Sequence, residues 1–311
     1  MLRGLIKTLR PHQWVKNLFV MAPMFFHRDL FKSENGVPLL NLLVTFKAAT
    51  ATAVFCLLAG AVYTINDLAD VAADRVHPVK RNRPIASGAV PANVARAMAA
   101  GLVILSLGAS YFITWKFAAV AAAYFVLNLA YTFGLKKVAF LDVGVIALGF
   151  VLRVLAGGFA TDVHREGHVL GVSGYMIACT ALLACFLGFG KRRHELAQEN
   201  SGKQRSALEA YGPRSLNVAL VLTGGATAVT YVFYTLDADT RAFFHTDLLW
   251  ITVPFTVFGI ARFLMLVSGR AGRGLKAESP TQEMLRDVPF VLNLVLWVVV
   301  VVAIIYKLRP A

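Results

Sequence analysis

Asn66-Asp67-Leu68-Ala69-Asp70-Val71-Ala72-Ala73-Asp74 closes a long apolar run that begins near residue 38. Carboxylates at 67, 70 and 74 and the amide at 66 recur at offsets of three and four. On a helix those offsets stack side chains on one face. Like charges stacked this way repel, so the array needs a counter-cation. Oxygen-only ligands suit Mg2+, which keeps waters and takes its remaining ligands from substrate phosphates. A basic run follows at once, with His77, Lys80, Arg81 and Arg83. Acids for a metal beside bases for phosphate point to diphosphate chemistry at a membrane surface. A solvated helix end also favours Asp. It does not ask for this whole stripe of Asp against an apolar span.

Working outward, the chain has 311 residues, 58% hydrophobic and only 15% charged. Soluble domains run at about 45–50% apolar and about 25% charged. The composition therefore predicts an all-α polytopic membrane protein, a single integral-membrane domain over 1–311. A helix needs about 20 apolar residues to span. Nine such stretches lie near 14–30, 38–65, 92–114, 117–134, 139–160, 171–190, 215–236, 247–268 and 288–307. Arg3, Lys7 and Arg10 precede the first stretch, but no small-residue cleavage site follows, which reads as a retained helix. Long polar loops fall at 66–91, 191–214 and 269–287, the second expected to begin or end in a helical overhang.

With nine spans, those loops share the N-terminal side. Most of the 31 Lys and Arg lie there too. The positive-inside rule then predicts a multi-pass protein of the inner (cytoplasmic) membrane with a cytoplasmic N-terminus. The net charge of +14 would also attract anionic headgroups. The bases sit beside spans, so membrane orientation explains them and nucleic acid is not the expected partner. Cys56, Cys179 and Cys185 lie in apolar stretches, with neither a disulfide framework nor zinc spacing.

Other residues join the array as candidates. Pro78-Val-Lys80-Arg81-Asn-Arg83-Pro84 is a basic loop stiffened by proline, suited to clamping phosphate. In Arg10-Pro-His-Gln-Trp14-Val-Lys16-Asn17, Trp14 reads as an interfacial anchor, while Lys16 and Asn17 are within reach of a phosphate headgroup. Tyr131 and Lys136 end the fourth span, and Asp142 begins the fifth. Arg153 lies about 20 Å along that fifth span. A cation so placed either binds an anion or ties helices together through an acid. Glu195 and Glu199 form an i,i+4 pair after Lys191 and Arg192. They read either as a second metal site or as salt bridges with those bases. No nucleophile–His–acid arrangement, Walker-type loop or nucleotide-fold fingerprint stands out.

The motif Asn66-Asp67-x-x-Asp70-x-x-x-Asp74 resembles the first acidic motif of the UbiA superfamily of intramembrane prenyltransferases. Nine spans with polar loops after the second and sixth are similar to its layout. Within it, the chain most resembles the decaprenyl-phosphate phosphoribosyltransferases. The likeness lies in the Arg-Pro-His-Gln-Trp-Val-Lys-Asn segment, in Asp74–Gly88, in Leu141-Asp-Val with Phe150-Val-Leu-Arg153, and in Lys191-Arg-Arg-His-Glu195. Prenyl-diphosphate enzymes of the superfamily carry a second Asp-x-x-x-Asp motif, where this chain has Glu195 and Glu199 beside three bases.

The resemblance implies a UbiA-type helical bundle with Mg2+ held by Asp67, Asp70 and Asp74. Substrate would contact Lys16, Asn17, Asn66, Lys80, Arg81, Arg83, Tyr131, Lys136, Arg153, Lys191, Arg192 and Glu195. It implies transfer of 5-phosphoribose from phosphoribosyl diphosphate to a polyprenyl phosphate lipid. The alternative within the superfamily moves a polyprenyl group from its diphosphate to an aromatic or other small acceptor. A transporter would concentrate ionisable groups near the bilayer midplane, whereas most here gather at one face. The sequence does not fix the oligomeric state, and a homo-oligomer is compatible with it.

Overall fold

The computed structural model describes residues 1–26, 30–34, 37–161, 172–197, 210–268 and 280–307. Its helices are α1 (Leu2–Thr8), α2 (Ala22–Phe26), α3 (Leu42–Ala69), α4 (Val71–Val76), α5 (Ala92–Ile113), α6 (Trp115–Phe133) and α7 (Leu141–Thr161). They continue with α8 (Gly174–Ala197), α9 (Pro213–Leu236), α10 (Ala238–Phe244), α11 (Val253–Val267), α12 (Pro280–Arg286) and α13 (Val288–Lys307). A 3-10 helix covers Pro11–Met21, and a small antiparallel pair, β1 (Phe31–Glu34) and β2 (Val37–Leu40), sets Phe31 opposite Leu40.

Among the described residues, eight helices are long and apolar enough to cross a membrane. They match the second to ninth expected spans within a few residues. The first expected span, 14–30, is instead built in pieces: the 3-10 helix Pro11–Met21, then α2. Pro23 has no N–H to donate, so it sits comfortably only in a first helical turn, and α2 starts afresh there. α3 runs past its expected end at 65 to Ala69, which puts Asn66 and Asp67 on its last turn. α8 likewise overruns 190 and carries Lys191–Glu195 as a helical overhang.

Helix ends follow local chemistry. Asn41 accepts a hydrogen bond from Val44 N–H at the start of α3, and Thr114 accepts one from Phe117 N–H at the start of α6. Hydroxyls inside the spans turn back on their own helix, as Thr64 does to Gly60 O and Ser110 to Ser106 O. Polar groups satisfied this way are tolerated in hydrocarbon. Large apolar side chains point outward, with Phe112 89% and Ile104 74% exposed. An apolar coat this extensive suits lipid, not water.

The chain forms two compact units. One comprises Met1–Lys136 and Leu148–Ser173; the other comprises Lys137–Ala147 and Gly174–Ala311. The first has a core of Val20, Phe55, Leu58, Phe117, Tyr124, Ala156 and Ala160, with Phe55 and Phe117 edge to face at 5.7 Å. Gly157 lets α7 approach the 3-10 helix closely: a Cβ there would lie 1.9 Å from Val20 O. The second core joins Val143, Phe186, Tyr211, Leu216, Leu220 and Phe263, with the Phe186 and Phe263 rings 4.8 Å apart.

Candidate active site

The acidic stripe lies where α3 passes into α4. Asp70 N–H still donates to Asn66 O at 3.0 Å, and Asp74 N–H to Asp70 O at 2.8 Å. The backbone therefore stays near-helical through the motif, bending at Asp70 (φ −94°, ψ 6°). Asp67 and Asp74 are each 3% exposed. Carboxylates so deeply placed must be compensated.

Each is met by a base. Arg83 Nη1 donates to Asp67 Oδ1 at 3.0 Å and to Asp74 Oδ2 at 2.6 Å. Arg10 Nη2 donates to the same Asp67 oxygen at 2.5 Å, and its guanidinium lies 5.1 Å from the Tyr63 ring centroid. Lys136 Nζ donates to Asp70 Oδ1 at 2.6 Å. Arg10 achieves its reach with a left-handed backbone, φ 53°. That conformation is strained for a non-glycine residue, and such strain concentrates at functional sites.

These contacts bear on the metal expected from the sequence. Among the described residues, no three His, Cys, Asp or Glu side chains gather as a ready metal cage. A single nitrogen of Arg83 nevertheless touches oxygens of Asp67 and Asp74 together. A cation between those helical turns thus meets two carboxylate oxygens, the hard donor set that Mg2+ accepts alongside water and substrate phosphate. The donors fit the ion. Asp70 departs from the expected common focus, because its carboxylate turns to Lys136.

The other expected residues are distributed unevenly. Lys80 is half-buried and Arg81 exposed, in the turn before Arg83. Tyr131 is half-buried near the end of α6. Lys16 Nζ donates to Gln13 Oε1 at 3.3 Å. Asn17 is buried and spends its amide inside the protein, accepting from Arg153 Nε at 2.8 Å and donating to Cys56 Sγ at 3.3 Å. Its expected reach to a headgroup is thereby replaced by an internal tie. Arg153 does tie helices, but through neutral groups rather than an acid. Its Nη1 donates to Gly149 O at 2.9 Å and its Nη2 to Tyr124 OH at 2.8 Å.

The second unit holds its own polar cluster. Arg192, 1% exposed, pairs with fully buried Asp142 at 2.8 Å and with Glu195. Tyr211 OH donates to Asp142 Oδ1 at 2.6 Å and accepts from Phe140 N–H at 2.6 Å. Burial, and then the bond to Asp142, push the Tyr211 hydroxyl up, so it stays a proton donor at neutral pH. Lys191 is exposed, 4.0 Å from Glu195. Of the two readings of Glu195, the structure shows the salt bridge with Arg192, whose guanidinium is buried. Glu199 lies outside the described residues.

Arg10 and Tyr211 were given no role from the sequence, and Asp142, noted there at the start of the fifth span, was given no partner. A lone Asp entering an apolar span is a usable signal for Asp142. Nothing local marks Tyr211, which is 69 positions away from it.

A membrane-embedded helical chain, with an Asp stripe locked by converging bases, belongs to an enzyme class that handles charged phosphates at the bilayer. Residues 20–267 match the UbiA prenyltransferase family, and the chain belongs to that family. It is similar to the decaprenyl-phosphate phosphoribosyltransferase of Mycolicibacterium smegmatis, at 36% identity over 97% of this chain and 92% of that one. It is also similar to the enzyme of that name from Corynebacterium glutamicum, at 33% identity over 97% and 87%. Its fold is like that of a UbiA homolog from Archaeoglobus fulgidus bound to GPP and Mg2+. The TM-score is 0.69 and the identity 17%, over 97% of this chain and 99% of that one. The protein is thus a multi-pass membrane enzyme of the UbiA family.

Proposed function

We propose that the protein transfers 5-phosphoribose from phosphoribosyl diphosphate to a polyprenyl phosphate of the decaprenyl type, releasing diphosphate, with Mg2+ as cofactor. The observation that carries this reading is the likeness to phosphoribosyltransferases over nearly the full length of both chains. The distribution of Lys and Arg supports a cytoplasmic N-terminus in the inner membrane. Soluble donor and lipid acceptor would then meet at the cytoplasmic face.

The chemistry suits the residues. The bond from the anomeric carbon to the diphosphate oxygen breaks, and its electron pair leaves with the diphosphate. An oxygen of the acceptor phosphate forms the new bond to that carbon. The acceptor is already an anion at neutral pH, so no strong general base is needed. Asp67 and Asp74, with Asp70 beside them, would hold Mg2+, which when bound neutralises the diphosphate as a Lewis acid. Arg10, Arg83 and Lys136 are fixed positive charges where negative charge grows, the effect that usually contributes most to rate. Lys80 and Arg81 extend that charge along the adjoining turn.

Purified protein in lipid should release diphosphate from phosphoribosyl diphosphate only when polyprenyl phosphate and Mg2+ are both present. Release that ignores the lipid, or no release under any combination, contradicts the reading.

A further inference from the structure

Among the described residues, the candidate site cations of the first unit differ in their partners. Arg10, Arg83 and Lys136 each touch a carboxylate. Arg153 and Lys16 do not. Arg153 is 5% exposed, and its three bonds go to Asn17, Gly149 and Tyr124, all neutral. The Tyr124 and Phe150 rings lie 4.7 and 5.4 Å from its guanidinium. Lys16, whose side chain is exposed, bonds only to the neutral Gln13, and it directly precedes Asn17, the residue that Arg153 Nε bonds. Among the described residues, therefore, two neighbouring cations share no counter-ion. A buried guanidinium without one is strongly unfavourable. A guanidinium has five N–H donors, so the bonds described leave Arg153 with donors for a ligand. Its neutral partners hold the group still while leaving its charge unspent.

We propose that Lys16 and Arg153 bind the phosphate monoester of the acceptor lipid, in a subsite separate from the Asp67–Asp74 site for the donor diphosphate. The assignment rests on the phosphoribosyl-transfer reading. In a direct displacement, the attacking and leaving oxygens lie on opposite sides of the anomeric carbon, so the two phosphate groups need separate sets of cations. Bases already paired with carboxylates suit a diphosphate that arrives with a metal. Bases without carboxylates suit a bare monoester. Arg153 sits twelve residues into α7, about 18 Å from its start, in a stretch of that helix that is otherwise apolar from Val143 to Ala160. That depth favours a lipid-borne phosphate over the donor's chemically similar 5-phosphate.

The test uses Lys16→Gln, because Arg153→Gln also removes three internal hydrogen bonds and risks the fold. Two quantities are read: KM for each substrate, and the thermal stabilisation given by polyprenyl phosphate with no donor present. Lys16→Gln should raise KM for polyprenyl phosphate about tenfold or more and leave KM for phosphoribosyl diphosphate within about twofold. It should also lose much of the stabilisation by the lipid, and Lys16→Arg should restore both. A rise in donor KM alone would assign the cations to the 5-phosphate and overturn the proposal, as would two unchanged KM values. The stabilisation arm needs no turnover. If wild-type protein transfers no phosphoribose yet Lys16→Gln still weakens lipid binding, the functional reading fails and the subsite stands.

Discussion

Asp67 shows how much depends on one side chain. Its Oδ1 accepts from both Arg10 and Arg83 while almost fully buried. Asp67→Asn keeps the shape but removes the charge, leaving Arg10 without its carboxylate, Arg83 with Asp74 alone and the proposed Mg2+ short of a ligand. Activity should fall by about a hundredfold or more, with the helical circular-dichroism spectrum unchanged. Full activity in the folded variant would reject the metal role. Asp142→Asn tests a different dependence. It leaves buried Arg192 with Glu195, and losing one partner of a buried pair costs roughly 3–5 kcal/mol. The melting temperature in detergent should drop clearly; an unchanged one would mean that Arg192 needs no buried anion. The Asp stripe and its neighbouring bases were legible in the sequence because their spacing is local. The base that holds each acid was not. Arg10 reaches Asp67 across 57 positions and through a left-handed backbone, neither of which a spacing pattern encodes.

At the scale of elements, close approach matters more than polarity. Gly157 on α7 is packed against the carbonyl of Val20, where any Cβ would collide with backbone. Gly157→Ala must push α7 from the Pro11–Met21 helix, which also carries Lys16 and Asn17. Overpacking of this kind costs about 1–3 kcal/mol or more. Both the melting temperature and the affinity for lipid phosphate should fall; a variant as stable as the parent would contradict the contact. The apolar runs located the later spans to within a few residues, because length and hydropathy set them. They did not reveal that residues 11–26 divide into a 3-10 helix and α2, nor that α3 continues to Ala69. Charged residues end a hydropathy window, but they do not end a helix whose backbone bonds and counter-charges are satisfied. Asn66 and Asp67 thus lie on helix where polarity alone reads loop, and Lys191–Glu195 form the helical overhang expected of the second polar loop.

For the whole molecule, the apolar exterior and family membership agree on a protein embedded in the bilayer. The proposed orientation rests on where the bases lie. The turn containing exposed Ser87 should face the cytoplasm, so Ser87→Cys should react with an impermeant thiol reagent in inverted vesicles and not in right-side-out ones. The opposite pattern would reverse the topology and remove the donor's access. The central claim, phosphoribosyl transfer to a lipid phosphate, is tested most directly by the identity of the product. Purified protein would be supplied with Mg2+, labelled phosphoribosyl diphosphate and polyprenyl phosphate, and in parallel with a prenyl diphosphate and an aromatic acid. The account predicts label in a lipid-linked 5-phosphoribose and no prenylated aromatic compound. An unlabelled lipid beside a prenylated aromatic acid would contradict it.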